Sequence, residues 1–126
     1  MLHIRDADRE LEVWRPGVRT RMYASAAAGS AQLVVFEQWC DPGHGAPRHW
    51  HSVEEVLRVL AGEAHIFVAG EEATVLPGAS VIIPAGVEHG FTNSGTSELH
   101  TQAILAAPVF EAHYVESDST SYRWRT

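Results

Sequence analysis

Glycine and proline interrupt this chain at short and regular intervals, which leaves room for β-strands and for little helix. The interruptions occur at Pro16-Gly17, Gly29, Pro42-Gly43, Gly62, Gly70, Pro77-Gly78, Pro84, Gly86, Gly95 and Pro108. Short runs rich in β-branched and aromatic residues lie between them, a pattern typical of an antiparallel sandwich or barrel. We therefore expect an all-β fold with strands near residues 17–24, 31–39, 48–60, 63–69, 72–76, 80–83, 87–93, 97–106 and 110–116.

The two ends of the chain are less regular than its middle. Residues Asp6 to Leu11 predict one short helical turn. The tail from Glu116 to Thr126 is polar except for Tyr122 and Trp124. It fits either a frayed terminus or an edge strand added to a neighbouring sheet, and the sequence leaves both alternatives open.

Length and charge narrow the classes of function. With 126 residues the chain is expected to form a single domain over residues 1–126, because two halves would each lack a sufficient core. The formal net charge of −7 argues against nucleic acid and against anionic membrane surfaces as partners. All nine basic residues are arginines, so Schiff-base and lysine general-base mechanisms are excluded.

The single cysteine, Cys40, predicts a cytoplasmic protein. One cysteine cannot form an internal disulfide, which fits a reducing compartment. The N-terminal residues are charged and show no signal peptide, and no apolar run approaches the roughly 20 residues of a membrane span. Free cysteine is usually buried, so we expect Cys40 to act as a small hydrophobic residue.

Four residues form a candidate metal site: His49, His51, Glu55 and His89. Imidazole nitrogens and a carboxylate oxygen are common donors to first-row transition metals. Side chains alternate along an extended strand, so residues 49, 51 and 55 are expected on one face of a strand over 48–60. The fourth donor must then come from another strand, and His89 lies just past a Pro-x-Gly turn that can supply it.

The residues around these donors resemble the paired motifs of the cupin superfamily. Five residues separate Gly43 from His49, then one, three and six residues precede His51, Glu55 and Gly62 in turn. In the second stretch, the same kind of fixed spacing joins Gly78, Pro84, Gly86, His89 and Asn93. The resemblance spans Gly43 to Asn93, and a ten-position match with fixed gaps is specific.

This resemblance implies an antiparallel jelly-roll β-barrel, the double-stranded β-helix of cupins, with one metal near its centre. It assigns His49, His51 and Glu55 as ligands from the first motif and His89 as the ligand from the second. The metal-site core is residues 43–93 of a single cupin domain. Asn93 matches the final motif position and is expected to bond turn backbone.

The expected cofactor is one divalent transition metal ion: Fe, Mn, Ni, Cu or Zn. Three neutral imidazoles and one carboxylate leave such an ion at net +1, with about two open positions if it is octahedral. A site of this kind polarises a bound oxygen atom or binds dioxygen beside a chelating substrate.

Several functions fit this reading. A metal-dependent enzyme with dioxygenase-like chemistry on a small organic substrate leads, as the resemblance implies. Isomerase, decarboxylase or polyketide-type cyclase chemistry, a non-catalytic small-ligand-binding barrel and a structural barrel are the alternatives. The expected partners are a small molecule and a second copy of the chain, since small barrels leave strand edges unpaired. The strands around Val18 to Tyr23, with Tyr122 and Trp124, are the expected contributors to the homodimer.

The remaining histidines carry less information. His65 is expected to face outward on its strand, and His44 is read as a surface residue, with proton shuttling as the alternative. His100 and Gln102 share one face of their strand, and the sequence does not decide whether that face lines the cavity.

Overall fold

The computed structural model describes all 126 residues, Met1–Thr126, as twelve strands in two antiparallel six-stranded sheets. The first sheet has the order β1 (Leu11–Arg15), β2 (Val18–Ala24), β3 (Val34–Cys40), β10 (Leu99–Leu105), β5 (Glu55–Ala61) and β8 (Ser80–Ile83). The second has the order β12 (Ser119–Arg123), β11 (Phe110–Tyr114), β4 (Gly45–Trp50), β9 (His89–Asn93), β6 (Ala64–Val68) and β7 (Glu71–Val75). Two short 3₁₀ turns, Asp6–Asp8 and Ala26–Ala28, complete the elements.

Both sheets bury one face in a common core. Strands β3, β5 and β10 alternate strictly between buried and partly exposed residues, as expected for strands with one dry face. Phe36 and Leu57 of the first sheet share a single cluster with Phe91 and Phe110 of the second. Each such side chain contributes about 1.5–3 kcal/mol when it leaves water. The all-β class and the antiparallel pairing are thus confirmed.

The prediction of one strand over 48–60 is wrong. Strand β4 ends at Trp50, β5 begins at Glu55, and the two belong to different sheets. The turn between them contains no glycine or proline, so it gave no signal in the sequence. Its polar groups are satisfied from a distance, because the backbone N–H and the hydroxyl of Ser52 both donate to the carboxylate of Glu111, at 3.1 and 2.7 Å.

Both ends of the chain are more ordered than the sequence indicated. The helical turn is confined to Asp6–Asp8, and Leu11 already begins β1. The polar tail forms the edge strand β12, which settles the alternative that the sequence left open. Its end is fixed by Trp124, whose ring lies 5.4 Å from that of Trp14 and whose Nε1 donates to Glu12.

The sheet edges are β1 and β8 in the first sheet, and β12 and β7 in the second. The expected dimer contributor Val18 to Tyr23 lies in β2, between β1 and β3, so it offers no free edge. Its backbone groups are already paired on both sides, which corrects that part of the prediction. No helix is long and apolar enough to cross a membrane.

Two smaller expectations are confirmed. Asn93 ties turn backbone together, since its amide donates to the carbonyls of Cys40 and Ser97 and its oxygen accepts from the N–H of Gly95. Cys40 is fully buried, and burial raises the pKa of its thiol to about 12.

Candidate metal centre

The four predicted donors meet inside the core. His49 lies in β4, His51 just after it, Glu55 at the start of β5 and His89 at the start of β9. All four are buried, and their donor atoms lie within 4.8 Å of one another. The structure therefore assembles the predicted set, although from both sheets and not from one face of a single strand.

A β-bulge helps to direct His49 toward the centre. Strand β4 pairs with β9 through Ala46 opposite Phe91 and through His49 opposite His89, with a register shift between the two pairs. A bulge adds a residue to one strand and re-aims the side chains that follow. As a result the two facing histidines of β4 and β9 point into the core at the same level, with ring centroids 4.2 Å apart.

Backbone carbonyls fix the orientation of all three rings. Each histidine donates from Nδ1 to a carbonyl oxygen: His49 to Pro47 at 2.6 Å, His51 to Glu111 at 2.5 Å and His89 to Val87 at 2.9 Å. When Nδ1 carries the proton, the lone pair of a neutral ring resides on Nε2. The arrangement thus selects the tautomer in which Nε2 is free to ligate a metal.

The centre brings together groups that call for a cation. The Nε2 atoms of His51 and His89 lie 3.1 and 3.0 Å from the same oxygen of Glu55. With Nδ1 protonated, these lone pairs would face a carboxylate lone pair unless a proton or a metal ion lay between them. Two ligand atoms about 2.1 Å from one ion and at right angles to each other are about 3.0 Å apart, which matches the observed spacing. The donor set therefore fits a first-row divalent ion.

The protonation states agree with this reading. Burial, and then the neighbouring His89 and His51, lower the pKa of His49 to about 3, so this ring is neutral at physiological pH. Burial raises the pKa of Glu55, but its hydrogen bonds to His51 and His89 outweigh that effect and hold the pKa well below the ordinary value. Burial likewise opposes the charged form of His51, yet the bond to Glu55 leaves its pKa raised.

Glu111 supports the centre from outside and was missed by sequence reasoning. Its carbonyl orients His51, and its carboxylate holds Ser52 and accepts from His113 at 2.7 Å. Burial raises the pKa of this carboxylate, but the bonds from Ser52 and then from His113 leave it lowered. Glu111 lies 60 residues beyond His51, so no local pattern links the two.

A small cavity adjoins the four donors. It has a volume of about 20 Å³ at the centres of water-sized molecules, which is room for about one water molecule or ion. Its other walls are mostly apolar and come from both sheets: Trp14, Arg15, Phe36, Gln38, Ala46, Leu57, Phe91, Ala103, Phe110 and Tyr114. The expected apolar lining after Glu55 is confirmed at Leu57.

Sequence reasoning also missed Trp14, Arg15 and Tyr114. These residues belong to β1 and β11, outside the motif that carries the donors. Trp14 packs 4.9 Å from the ring of Phe110, so it closes the cavity where the two sheets meet. The Pro16-Gly17 turn just after β1 marked the end of a strand, but it gave no indication of which way Arg15 would face.

The remaining polar residues lie outside the centre. His65 is 41% exposed in its side chain and pairs with Glu72, so the expected outward orientation is confirmed. His44 is exposed, in agreement with the surface assignment. His100 and Gln102 contact Glu37, whereas the intervening Thr101 is buried, so the face left undecided is the outer one.

Comparison with known proteins identifies the family. The family model described as a cupin domain matches residues 37–105, more than half of the chain. This chain is a cupin. The match includes all four donors of the candidate centre, and the expected membership of the superfamily is confirmed.

Individual relatives are more distant. Auxin-binding protein 1 of Arabidopsis thaliana is 28% identical over 104 residues, which are 75% of this chain and 52% of that protein. This cupin thus spans about half the length of that curated relative.

Solved structures show the same fold. The polyketide cyclase RemF from Streptomyces resistomycificus has a TM-score of 0.73 and 24% identity, covering 94% of this chain and 89% of its own. An RmlC-like cupin from Shewanella frigidimarina has a TM-score of 0.70 and 22% identity, over 80% of this chain and 86% of its own. Salicylate 1,2-dioxygenase from Pseudoaminobacter salicylatoxidans has 0.67 and 16%, over 76% and 26%. At these identities the likeness establishes the fold alone.

Proposed function

We propose that this cupin is a metal-dependent enzyme that performs dioxygenase-like chemistry on a small oxygen-bearing organic molecule. Within a jelly-roll barrel of the kind the cupin motifs imply, His49, His51, Glu55 and His89 would hold one divalent ion. The observation that carries the proposal is the fixed orientation of three Nε2 atoms and one carboxylate around a point beside an apolar cavity.

The chain's own residues define what such a site would do. The three imidazoles stay neutral or share one proton with Glu55, so the ligand set contributes a single negative charge. Leu57, Phe91 and Ala103 form a dry wall that keeps bulk water from the centre and strengthens its electrostatic interactions. A redox-active divalent metal would supply Lewis-acid activation of substrate oxygens and a place for dioxygen to react.

A second candidate is non-oxidative isomerisation or cyclisation. Tyr114 favours it, because its phenol lines the cavity and its ring lies 5.7 Å from that of His49. A tyrosine so placed can exchange a proton with a substrate oxygen held at the centre. Tyr114→Phe should then lower turnover and leave metal content unchanged.

The deciding experiment measures metal and oxygen together. Protein prepared without chelators should contain about one divalent first-row metal per chain, and oxygen uptake should follow addition of an enol, β-diketone or catechol from a small panel. His51→Ala should lose the metal, whereas His65→Ala, which alters an exposed histidine, should retain it.

Three results would count against the proposal. Metal retained by His51→Ala but lost from His65→Ala would refute the ligand assignment. Substrate consumed at equal rates with and without oxygen would favour the second candidate. A metal-loaded protein that alters none of the panel under either condition would favour the non-catalytic alternative.

A further inference from the structure

Arg15 brings a positive charge to the cavity that the metal centre does not use. It is the one arginine among the residues that line the cavity. Its Nη1 donates to the carbonyl of Gly45 at 3.0 Å, and no carboxylate lies within ion-pair distance of it. The other charged carboxylate in the cavity wall, Glu55, is occupied by His51 and His89. The guanidinium is therefore available to a ligand.

A β-bulge directs Arg15 to this position. Along β1, Val13 faces outward at 72% exposure and Trp14 faces the core, so strict alternation would turn Arg15 outward as well. The register shifts at this point, since Val13 pairs with Arg19 whereas Arg15 pairs with Val18. The extra residue breaks the alternation, and Trp14 and Arg15 both line the cavity.

Tyr114 connects the guanidinium with the donors. Its ring centroid lies 6.0 Å from Cζ of Arg15 and 5.7 Å from the ring of His49. Guanidinium, phenol and metal donors thus follow one another along one wall. A molecule lying against this wall would contact the donors at one end and Arg15 at the other.

We propose that Arg15 binds the carboxylate of a small organic acid whose other oxygens reach the metal centre. The assignment rests on the proposed function, because the second contact requires the metal. A guanidinium partly removed from water binds a carboxylate through charge-assisted hydrogen bonds. A phosphate ester fits poorly, since one arginine in a chain without lysine cannot neutralise a dianion and the cavity is small. The substrate class is therefore a short carboxylate with a chelating pair of oxygens.

Hydroxamates separate the two contacts. The monohydroxamates of malonic, succinic and glutaric acid combine a chelating group with a carboxylate at increasing distance, and their methyl esters are neutral counterparts of nearly the same shape. Titrated into cobalt-loaded protein and followed by the visible cobalt spectrum, at least one acid should bind about tenfold or more tightly than its ester. Arg15→Gln should bring that ratio close to one, and Arg15→Lys should retain part of it.

Arg58→Gln is the matched control, because Arg58 faces outward on β5 and bonds Ser80. It should keep the wild-type ratio. Three acids that bind no better than their esters to the cobalt-loaded wild type would refute the role of Arg15 alone. A ratio that persists in Arg15→Gln would do the same. A wild type that fails to bind cobalt would overturn the proposed function and, with it, this assignment.

Discussion

Glu55 is the acidic side chain around which the donors of the centre are arranged. One of its oxygens lies about equally far from the Nε2 atoms of His51 and His89, at 3.1 and 3.0 Å. The carboxylate is buried and stays charged because these neighbours hold its pKa down. Its negative charge is therefore what a bound cation would find at the centre.

Glu55→Gln tests this role with little change in shape. A neutral amide oxygen is a weaker ligand, so the affinity for metal should fall at least about tenfold, since even groups one layer out from a metal are worth about 10–100-fold. The three histidines should still hold some metal. Competition with a coloured chelator measures the affinity. Glu54→Gln is the control, because Glu54 is exposed beside it and should bind metal as the wild type does. Unchanged affinity in Glu55→Gln would remove this residue from the ligand set.

The crossing from β4 to β5 is the element that places two of the donors. Residues 51–54 carry the chain from the second sheet to the first, so His51 and Glu55 lie at the two ends of the crossing. Glu111 anchors it by accepting two hydrogen bonds from Ser52. The position of His51 thus depends on a side chain from β11.

Glu111→Gln should loosen this crossing. An amide keeps one acceptor but loses the charge that strengthens both bonds from Ser52, so metal affinity should fall by about 10–100-fold with the stoichiometry unchanged. Isothermal titration with Zn²⁺ measures both quantities. Glu72→Gln is the control, since Glu72 pairs only with the exposed His65. Equal losses in both variants would indicate a general loss of stability and not a role in positioning.

These elements show how far the sequence could lead. The ligand set was predictable because the fixed spacing of ten anchors matches a family motif. The reasoning from one continuous strand was wrong, because the turn at Ser52 is stabilised by Glu111 and not by a local glycine or proline. The inward position of Arg15 was likewise hidden, since a bulge depends on how two strands pair and leaves no periodic pattern. What depends on one segment was predictable, and what depends on two was not.

Across the whole molecule, the metal-free protein should be most stable near pH 6.5. The pKa of His51 is raised by Glu55 against the opposing effect of burial, so its contribution is fully present below 6.5 and is lost as the pH rises through the folded-state pKa. Burial lowers the pKa of His49 from 6.5 to about 3, so the unfolded chain takes up this proton first as the pH falls below 6.5. The lowered pKa of Glu55 adds a further loss below 4.5.

Urea unfolding of chelator-treated protein between pH 4 and pH 8 measures this dependence. Each group contributes a slope of at most about 1.4 kcal/mol per pH unit. His49→Gln should abolish the decline between pH 6.5 and 4.5, because the glutamine cannot take up the proton. A decline that persists in that variant would assign the effect to other groups.

The outer face of the first sheet is where we predict that two copies associate. Val13 and Ile82 are 72% and 65% exposed on the edge strands β1 and β8 of that sheet. Exposed apolar residues on an unpaired edge favour association with a second copy. Light scattering should give twice the chain mass at micromolar concentration, and Val13→Glu should halve it. Leu76→Glu, which adds the same charge in a turn after β7, should remain a dimer. A single chain mass for the wild type would refute the prediction.

The dispersal of the donors along the chain has a consequence for biosynthesis. His49, His51 and Glu55 emerge from the ribosome well before His89, and the carbonyl that orients His51 belongs to Glu111, near the C-terminal end. Contacts between such distant segments form late, after the long loops between them have closed. An ion captured by the nascent chain would therefore meet a loose pair of histidines, and selection among metals is deferred until nearly the whole polypeptide has been made and folded.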